Sequence, residues 1–243
     1  LLSRGERLKV VGRAGVGVDN VAMDAATSLG IAVLNAPAGN TIAVAELFFG
    51  TVLSLLRHIP RATTSMHAGR WERAQLLGTE LKGKTLGIVG VGRIGGEVAQ
   101  RALAFGMHVV GYDPYVADAR FTALRIPRAA SLDELLDQAD IVTVHTPLND
   151  ETTGMIGRRE LGRLKPGALL CNLARGGITS DDALVAALES GRLRGAVLDV
   201  YQKEPLLGDH PFAKFDNVVL TPHIGASTAE AQRIVAVDVC IAV

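Results

Sequence analysis

Cysteine, net charge and long hydrophobic runs are what this chain has least of, and each shortage removes a class of protein. The two cysteines, Cys171 and Cys240, sit in apolar runs without metal-ligand spacing. They imply no disulfide framework and no metal site, and they read as buried free thiols compatible with a reducing cytoplasm. Basic and acidic residues balance at 25 each, with a pI near 7.2. No global field recruits nucleic acid or an anionic membrane, so affinity must come from a local site. No uncharged apolar run approaches the roughly 18 residues that suggest a membrane span. The opening residues LLSRGERLKVVGRAG lack the apolar stretch and small-residue cleavage site of an export signal. Fixed-period repeats and low-complexity segments are also missing. What is present is a 243-residue chain, 48% hydrophobic, with mean hydropathy +0.27. That suffices for a full core in one large domain, or in one domain plus part of another.

From Leu81 onward, short apolar runs alternate with helical stretches, the pattern of a parallel sheet covered on both faces. The expected strands are Thr85 to Val89, His108 to Tyr112, Ile141 to His145, Ala168 to Leu173, Ala196 to Val200 and Val218 to Thr221. Six such strands complete a doubly wound α/β sheet. Ser131 to Glu134 fits a capping box, Ser180-Asp181-Asp182 opens another helix, and Gly191 closes it. Ahead of Leu81, strands at Leu8 to Gly12 and Ile31 to Leu34 flank a helix from Asp19 to Leu29, a fragment of a second α/β unit. The chain enters that unit abruptly, so an N-terminal portion is expected upstream. The apolar helix at about Ile42 to Leu56 is expected to be buried on several sides, a subunit interface being one reason.

Gly90-Val91-Gly92-Arg93-Ile94-Gly95 is a G-x-G-x-x-G directly after the apolar strand Leu86 to Val89 and directly before a helix. Gly90 permits the tight turn, Gly92 lets the backbone approach a pyrophosphate, and Gly95 allows close helix–strand packing. The helix N-terminus adds free N–H groups and a positive dipole end. At the end of the next strand Asp113 places a carboxylate where it can hold ribose hydroxyls and repel a 2′-phosphate, which favours NAD.

Three polar residues follow strands: Arg175, Glu204 and His223. In an open α/β sheet ligands bind outside the carboxyl ends of the strands, so the three can converge on one crevice. Their chemistry fits hydride transfer from a hydroxy acid. His223 is the candidate base for the hydroxyl proton. Glu204 orients the imidazole and stabilises its protonated form. Arg175 binds the substrate carboxylate with a fork that lysine does not reproduce. Taken singly, a Pro-His turn is more often structural, and Glu before Pro or Arg after a strand is commonly a surface charge; the combination carries the reading. His58, His67, His108, His145 and His210 read as structural or exposed.

With VGRAGVGVDN, NAPAGNTIAVAE, GRWER, the glycine fingerprint, GYDP, VHTPL, NLARGG, LDVYQKEP and TPHIGAST, the chain resembles the D-isomer-specific 2-hydroxyacid dehydrogenases, most closely their phosphoglycerate branch. The resemblance implies a Rossmann domain over residues 39–225 with a dimerisation helix. It implies part of a smaller flavodoxin-like substrate domain over 1–38, and a return helix toward that domain over 226–243. It also implies that Arg175, Glu204 and His223 are catalytic, and that Arg93, Ile94, Asp113, Thr146, Ala174, Asp199 and Ala226 join Gly90, Gly92 and Gly95 in holding NAD. Asp199 would hold the nicotinamide carboxamide. Arg13, Ala14, Gly15 and Val16 resemble a loop whose N–H groups bind the substrate carboxylate, with Asn40 as a substrate-side contact and Arg73 approaching a neighbouring subunit's site. The activity implied is NAD-linked oxidation of 3-phosphoglycerate, a phosphorylated 2-hydroxy acid, by a cytoplasmic homodimer or homotetramer without metal, nucleic acid or membrane. A sister enzyme acting on glyoxylate, hydroxypyruvate or D-lactate shares the same three residues, an NAD-sensing corepressor shares the scaffold, and a piece that binds NAD without turnover is a further alternative.

Overall fold

Runs of Val, Ile, Leu and Ala too short for helices and too apolar for a one-sided sheet become strands covered on both faces. A computed structural model describes residues 2–5 and 7–243 of the chain, which divide into two compact units, 1–44 with 225–243, and 45–224. The first boundary lies inside the helix Thr41–Leu56, later than the expected division at 38/39.

In the smaller unit, β1 (Val10–Arg13) and β2 (Ala32–Asn35) pair in parallel. The helix between them, Met23–Ser28, is shorter than the expected Asp19 to Leu29. Residues 18–21 form a turn instead, with the Val21 N–H donating to the Val18 carbonyl. The helix Ala229–Ala242 starts at Thr228, whose Oγ1 accepts the Ala231 N–H at 3.1 Å. It lays Val235 and Val239 against Ala36. Cys240 falls off that inward stripe and is exposed, which corrects the expectation that both thiols are buried.

The larger unit carries β3 (Thr85–Val89), β4 (His108–Tyr112), β5 (Ile141–Val144), β6 (Ala168–Asn172), β7 (Leu193–Leu198) and β8 (Val218–Leu220). All pairings are parallel, in the order β4-β3-β5-β6-β7-β8. Outside β4, Gly111 bridges Arg128, and the Ala129 N–H donates to the Gly111 carbonyl, so a one-bridge stub takes the outer place on that side. The direction of winding reverses between β3 and β5, and the carboxyl ends of the strands there form the switch-point crevice.

Three helix ends follow from local chemistry. Ser180 Oγ accepts the Ala183 N–H at 3.4 Å at the start of Asp181–Glu189, and Gly191 follows its end at φ 70°. Ser131 Oγ accepts the Glu134 N–H, but the Glu134 carboxylate reaches back to the Ala130 N–H at 2.7 Å. The expected capping box is therefore extended by one residue on its return bond. On Thr41–Leu56, Phe48, Phe49, Val52 and Leu56 are buried, and Phe49 stacks on Phe105 at 5.0 Å. Each such ring contributes about 2 kcal/mol by leaving water. Packing within this unit thus accounts for much of the helix's hydrophobicity, while Ile42, Glu46 and Gly50 line its exposed face. Among the described residues no single helix is long and apolar enough to cross a membrane.

Candidate active site

The glycine loop lies between β3 and the helix Arg93–Ala104. Gly90 adopts φ 93°, and a Cβ there would stand 2.8 Å from the His145 carbonyl. Gly95 packs against Gly90, so that a Cβ would lie 2.1 Å from the Gly90 carbonyl oxygen. Both glycines are demanded by the protein's own backbone. Gly92 is different: a Cβ there would meet no protein atom within 4 Å. It caps the helix at φ −71° and ψ −147°, an ordinary φ with a ψ just beyond the extended region. No neighbouring atom fills the place of a side chain at that point, and the open space before the helix N-terminus is the shape a pyrophosphate needs. Thr146 Oγ1, at the end of the neighbouring strand, is buried and has no hydrogen-bond partner among the described residues. A bound dinucleotide would satisfy both features.

Asp113 organises this loop from the tip of β4. Its Oδ2 accepts the Val91 N–H at 2.9 Å, and its Oδ1 accepts the N–H groups of Tyr115 and Val116 at 3.0 and 3.1 Å. A carboxylate has about four lone-pair sites, so one position remains for a ribose hydroxyl. Arg120, not singled out by sequence, donates from Nη2 to the Gly92 carbonyl at 3.0 Å and from Nε to the Val91 carbonyl at 3.4 Å. It reaches back from the helix Asp118–Leu124, and no motif announces that approach. Arg93 is exposed at the start of the helix and Ile94 is half-buried beside it. We expect Gly92→Ala to leave thermal stability within about 1 kcal/mol, the range of cap substitutions, while weakening NAD binding at least about tenfold. Calorimetric unfolding and NAD titration of the same variant would check both halves, and unchanged NAD affinity would refute the phosphate role of Gly92.

On the other side of the crevice, Arg175 follows β6, Glu204 follows β7 and His223 follows β8. Asn172, a polar residue ending an apolar strand, shapes the first turn. Its Nδ2 donates to the Arg175 carbonyl at 2.9 Å and its Oδ1 accepts the Ala174 N–H at 3.1 Å, while Arg175 Nη1 donates to the Ala174 carbonyl at 2.7 Å. A buried amide at a strand end was the available sequence signal for Asn172. Gly176 then lies on the backbone of the next loop: a Cβ there would come within 1.8 Å of the Tyr201 carbonyl oxygen. The Arg175 and Glu204 loops are thus in direct backbone contact.

His223 Nδ1 lies 2.7 Å from Glu204 Oε2. An ionised carboxylate only accepts, so Nδ1 carries the proton, and the neutral ring then presents its lone pair at Nε2, the form a general base requires. Asp199 sits just past the end of β7 and is fully buried, and its Oδ1 accepts the Thr221 hydroxyl at 2.6 Å and the Ile224 N–H at 2.8 Å. It brackets His223 from both sides. A cleft of about 590 Å³, lined by Pro205, Leu206, Leu207 and Pro222 among others, opens beside His223 and Glu204. Of the remaining histidines, desolvation pulls His145 down to about 3, so its ring is neutral, with Nε2 3.0 Å from Thr143 Oγ1.

The residues expected on the substrate side fall in the smaller unit, apart from Arg73. Gly15 (φ 156°) donates its N–H to the Arg13 carbonyl at 2.8 Å, and Asn35 Nδ2 donates to the Val16 carbonyl at 2.6 Å. Asn35 is a loop support that sequence reading missed. Arg13 Nη1 bonds the Ala14 carbonyl, folding the guanidinium back over the loop. Asn40 Oδ1 is buried without a partner among the described residues. Ala226 accepts the Gln232 side-chain amide at 2.9 Å in this same unit. Arg73 is exposed in a short turn of the larger unit.

Residues 49–225 match the family model for the D-isomer specific 2-hydroxyacid dehydrogenase, NAD binding domain. A D-3-phosphoglycerate dehydrogenase of Bacillus subtilis is 49% identical over 98% of the chain, and the chain spans 45% of that relative's length. The crystal structure of the TT0316 protein from Thermus thermophilus superposes with a TM-score of 0.89 at 42% identity, covering 98% of this chain and 76% of that one. The structure of a D-lactate dehydrogenase from Aquifex aeolicus, complexed with NAD and lactic acid, superposes with a TM-score of 0.87 at 32% identity, covering 99% of this chain and 77% of that one.

Proposed function

The chain belongs to the D-isomer-specific 2-hydroxyacid dehydrogenase family, and from that premise we propose that it carries the NAD-binding and acid–base machinery of an enzyme oxidising D-3-phosphoglycerate to 3-phosphohydroxypyruvate. The observation that carries this reading is the 2.7 Å contact between His223 Nδ1 and Glu204 Oε2, on a loop seated against the Arg175 turn. Identity of 49% to a phosphoglycerate dehydrogenase supports the substrate.

Gly90, Gly92 and Gly95 would hold the pyrophosphate of NAD, Asp113 the ribose, and Thr146 Oγ1 a further polar group, while Arg93, Ile94, Ala174, Asp199 and Ala226 are proposed as additional contacts. NAD, when bound, accepts the hydride that leaves C2 of the hydroxy acid. His223 takes the hydroxyl proton at Nε2 as the C–O bond becomes a carbonyl. Glu204 holds the opposite nitrogen and neutralises the imidazolium that results. Arg175 binds the substrate carboxylate and polarises the developing carbonyl. Arg13, Ala14, Gly15, Val16 and Asn40 are kept as candidate substrate contacts, supported by the unpartnered Asn40 Oδ1.

The proposed assembly is a homodimer or homotetramer. Its support is an apolar surface on one segment of the larger unit, where Ile59 and Met66 are half exposed, Trp71 is 78% exposed and Leu77 89%. Arg73 lies in that segment and is proposed to approach a neighbouring subunit's site. The cytoplasm is the proposed compartment, in keeping with the two unpaired thiols.

A panel of hydroxy acids decides the substrate. With NAD, followed by NADH absorbance, kcat/KM is expected to be highest for D-3-phosphoglycerate and to fall at least about tenfold for D-lactate, D-glycerate and glycolate. A higher value for an unphosphorylated acid overturns the assignment.

A further inference from the structure

Tyr201 bonds Glu204 directly and reaches His223 through the Thr221 carbonyl, and nothing in the chemistry above uses it. Its backbone N–H donates to Glu204 Oε1 at 3.0 Å, which leaves Oε2 facing the imidazole. Its hydroxyl lies 2.9 Å from the Thr221 carbonyl and 3.1 Å from the Leu198 carbonyl. The Thr221 carbonyl also accepts the His223 N–H at 3.0 Å, so the phenol reaches the group that sets the turn into His223.

That turn is strained. His223 has φ 53°, a left-handed conformation that a side chain with a Cβ seldom adopts and that surrounding bonds must enforce. The restraints are specific: Tyr201 on the Thr221 carbonyl, and Asp199 on the Thr221 hydroxyl and the Ile224 N–H. Burial and the nearby Asp199 charge push the phenol up to about 12, so it remains a donor near neutral pH. A ring that only filled core space would pack equally well without its hydroxyl.

We propose that Tyr201 is a positioning residue, whose hydroxyl on the Thr221 carbonyl and N–H on Glu204 hold His223 and Glu204 in the orientation that proton transfer needs. The proposal rests on the dehydrogenase reading above.

Tyr201→Phe deletes the hydroxyl alone. We expect kcat to fall about tenfold, with the KM and Kd for NAD unchanged, because the glycine loop is untouched. In a Glu204→Ala background, which removes the acceptor altogether, the same change is expected to cost less than about twofold, since the pair it orients is already broken. Equal losses in both backgrounds would mean a merely structural tyrosine and would overturn the proposal, as would an unchanged kcat. A readout independent of turnover is the proton NMR resonance of the His223 Nδ1–H bonded to Glu204. It should broaden or shift in Tyr201→Phe, and an unmoved resonance overturns the proposal. If the parent protein turns over no 2-hydroxy acid, the functional reading fails and the resonance still decides the role of Tyr201. Should Tyr201→Phe not fold, replacing tyrosine by 3-fluorotyrosine keeps ring and hydroxyl while strengthening the donor. The His223 resonance moving on fluorination supports the role, and an unmoved one rejects it.

Discussion

His223→Ala should lower kcat by about three orders of magnitude, the scale of a lost general acid–base residue, while leaving NAD affinity unchanged. The Glu204 carboxylate lies 2.7 Å from Nδ1 and holds a proton there, so the neutral ring presents its lone pair at Nε2, and neither atom helps to shape the glycine loop. Glu204→Gln should retain more activity, because the amide can still orient the ring but cannot neutralise the imidazolium that forms. Steady-state rates with D-3-phosphoglycerate, beside calorimetric titration with NAD, separate the two effects. If His223→Ala kept more than about a tenth of the parent kcat, the base assignment would be wrong. A loss of both NAD binding and turnover would point to a folding defect.

Gly95→Ala should be as damaging to cofactor binding as Gly92→Ala, and unlike it should also destabilise the fold. The new Cβ meets the Gly90 carbonyl oxygen at 2.1 Å and Ile88 Cγ2 at 3.2 Å. The first is backbone of the loop itself and cannot turn aside as a side chain would. The helix Arg93–Ala104 must move off β3, at a cost of about 3 kcal/mol, the upper end of overpacking penalties. Unfolding by urea measures that cost. Stability equal to the parent's would mean that the helix and strand separate freely, and the account of the fingerprint's third glycine would fail. The two variants lie in one hexapeptide, so their contrast separates a glycine the fold needs from a glycine a ligand needs.

The fingerprint, the strands of the larger unit and the order of the three catalytic candidates were legible because each depends on local pattern. Apolar runs of fixed length specify buried strands, and a glycine at a strand-to-helix turn specifies a backbone path. Boundaries moved by a few residues where the pattern is weak. The strand expected from Ala196 starts at Leu193, and the helix expected from Asp19 starts at Met23. Cys240 was misread because an apolar neighbourhood in sequence does not say which side of a helix faces inward. Arg120, Asn35 and Asn172 went unremarked because their partners are backbone carbonyls and amides, which carry no residue-specific signal.

By itself the amino-acid order determined which chemistry the chain could hold: a nucleotide loop, an Asp113 that favours NAD, and an Arg, a Glu and a His following successive strands of one sheet. Only the tertiary structure decided that Glu204 meets His223 through Nδ1, that Gly176 brings the Arg175 turn onto that loop, and that Tyr201 and Asp199 hold a left-handed histidine in place. The physical reason is range. Turn and strand preferences act between near neighbours along the chain, whereas the protonation form of an imidazole depends on contacts 2.7 Å long between segments that only folding brings together.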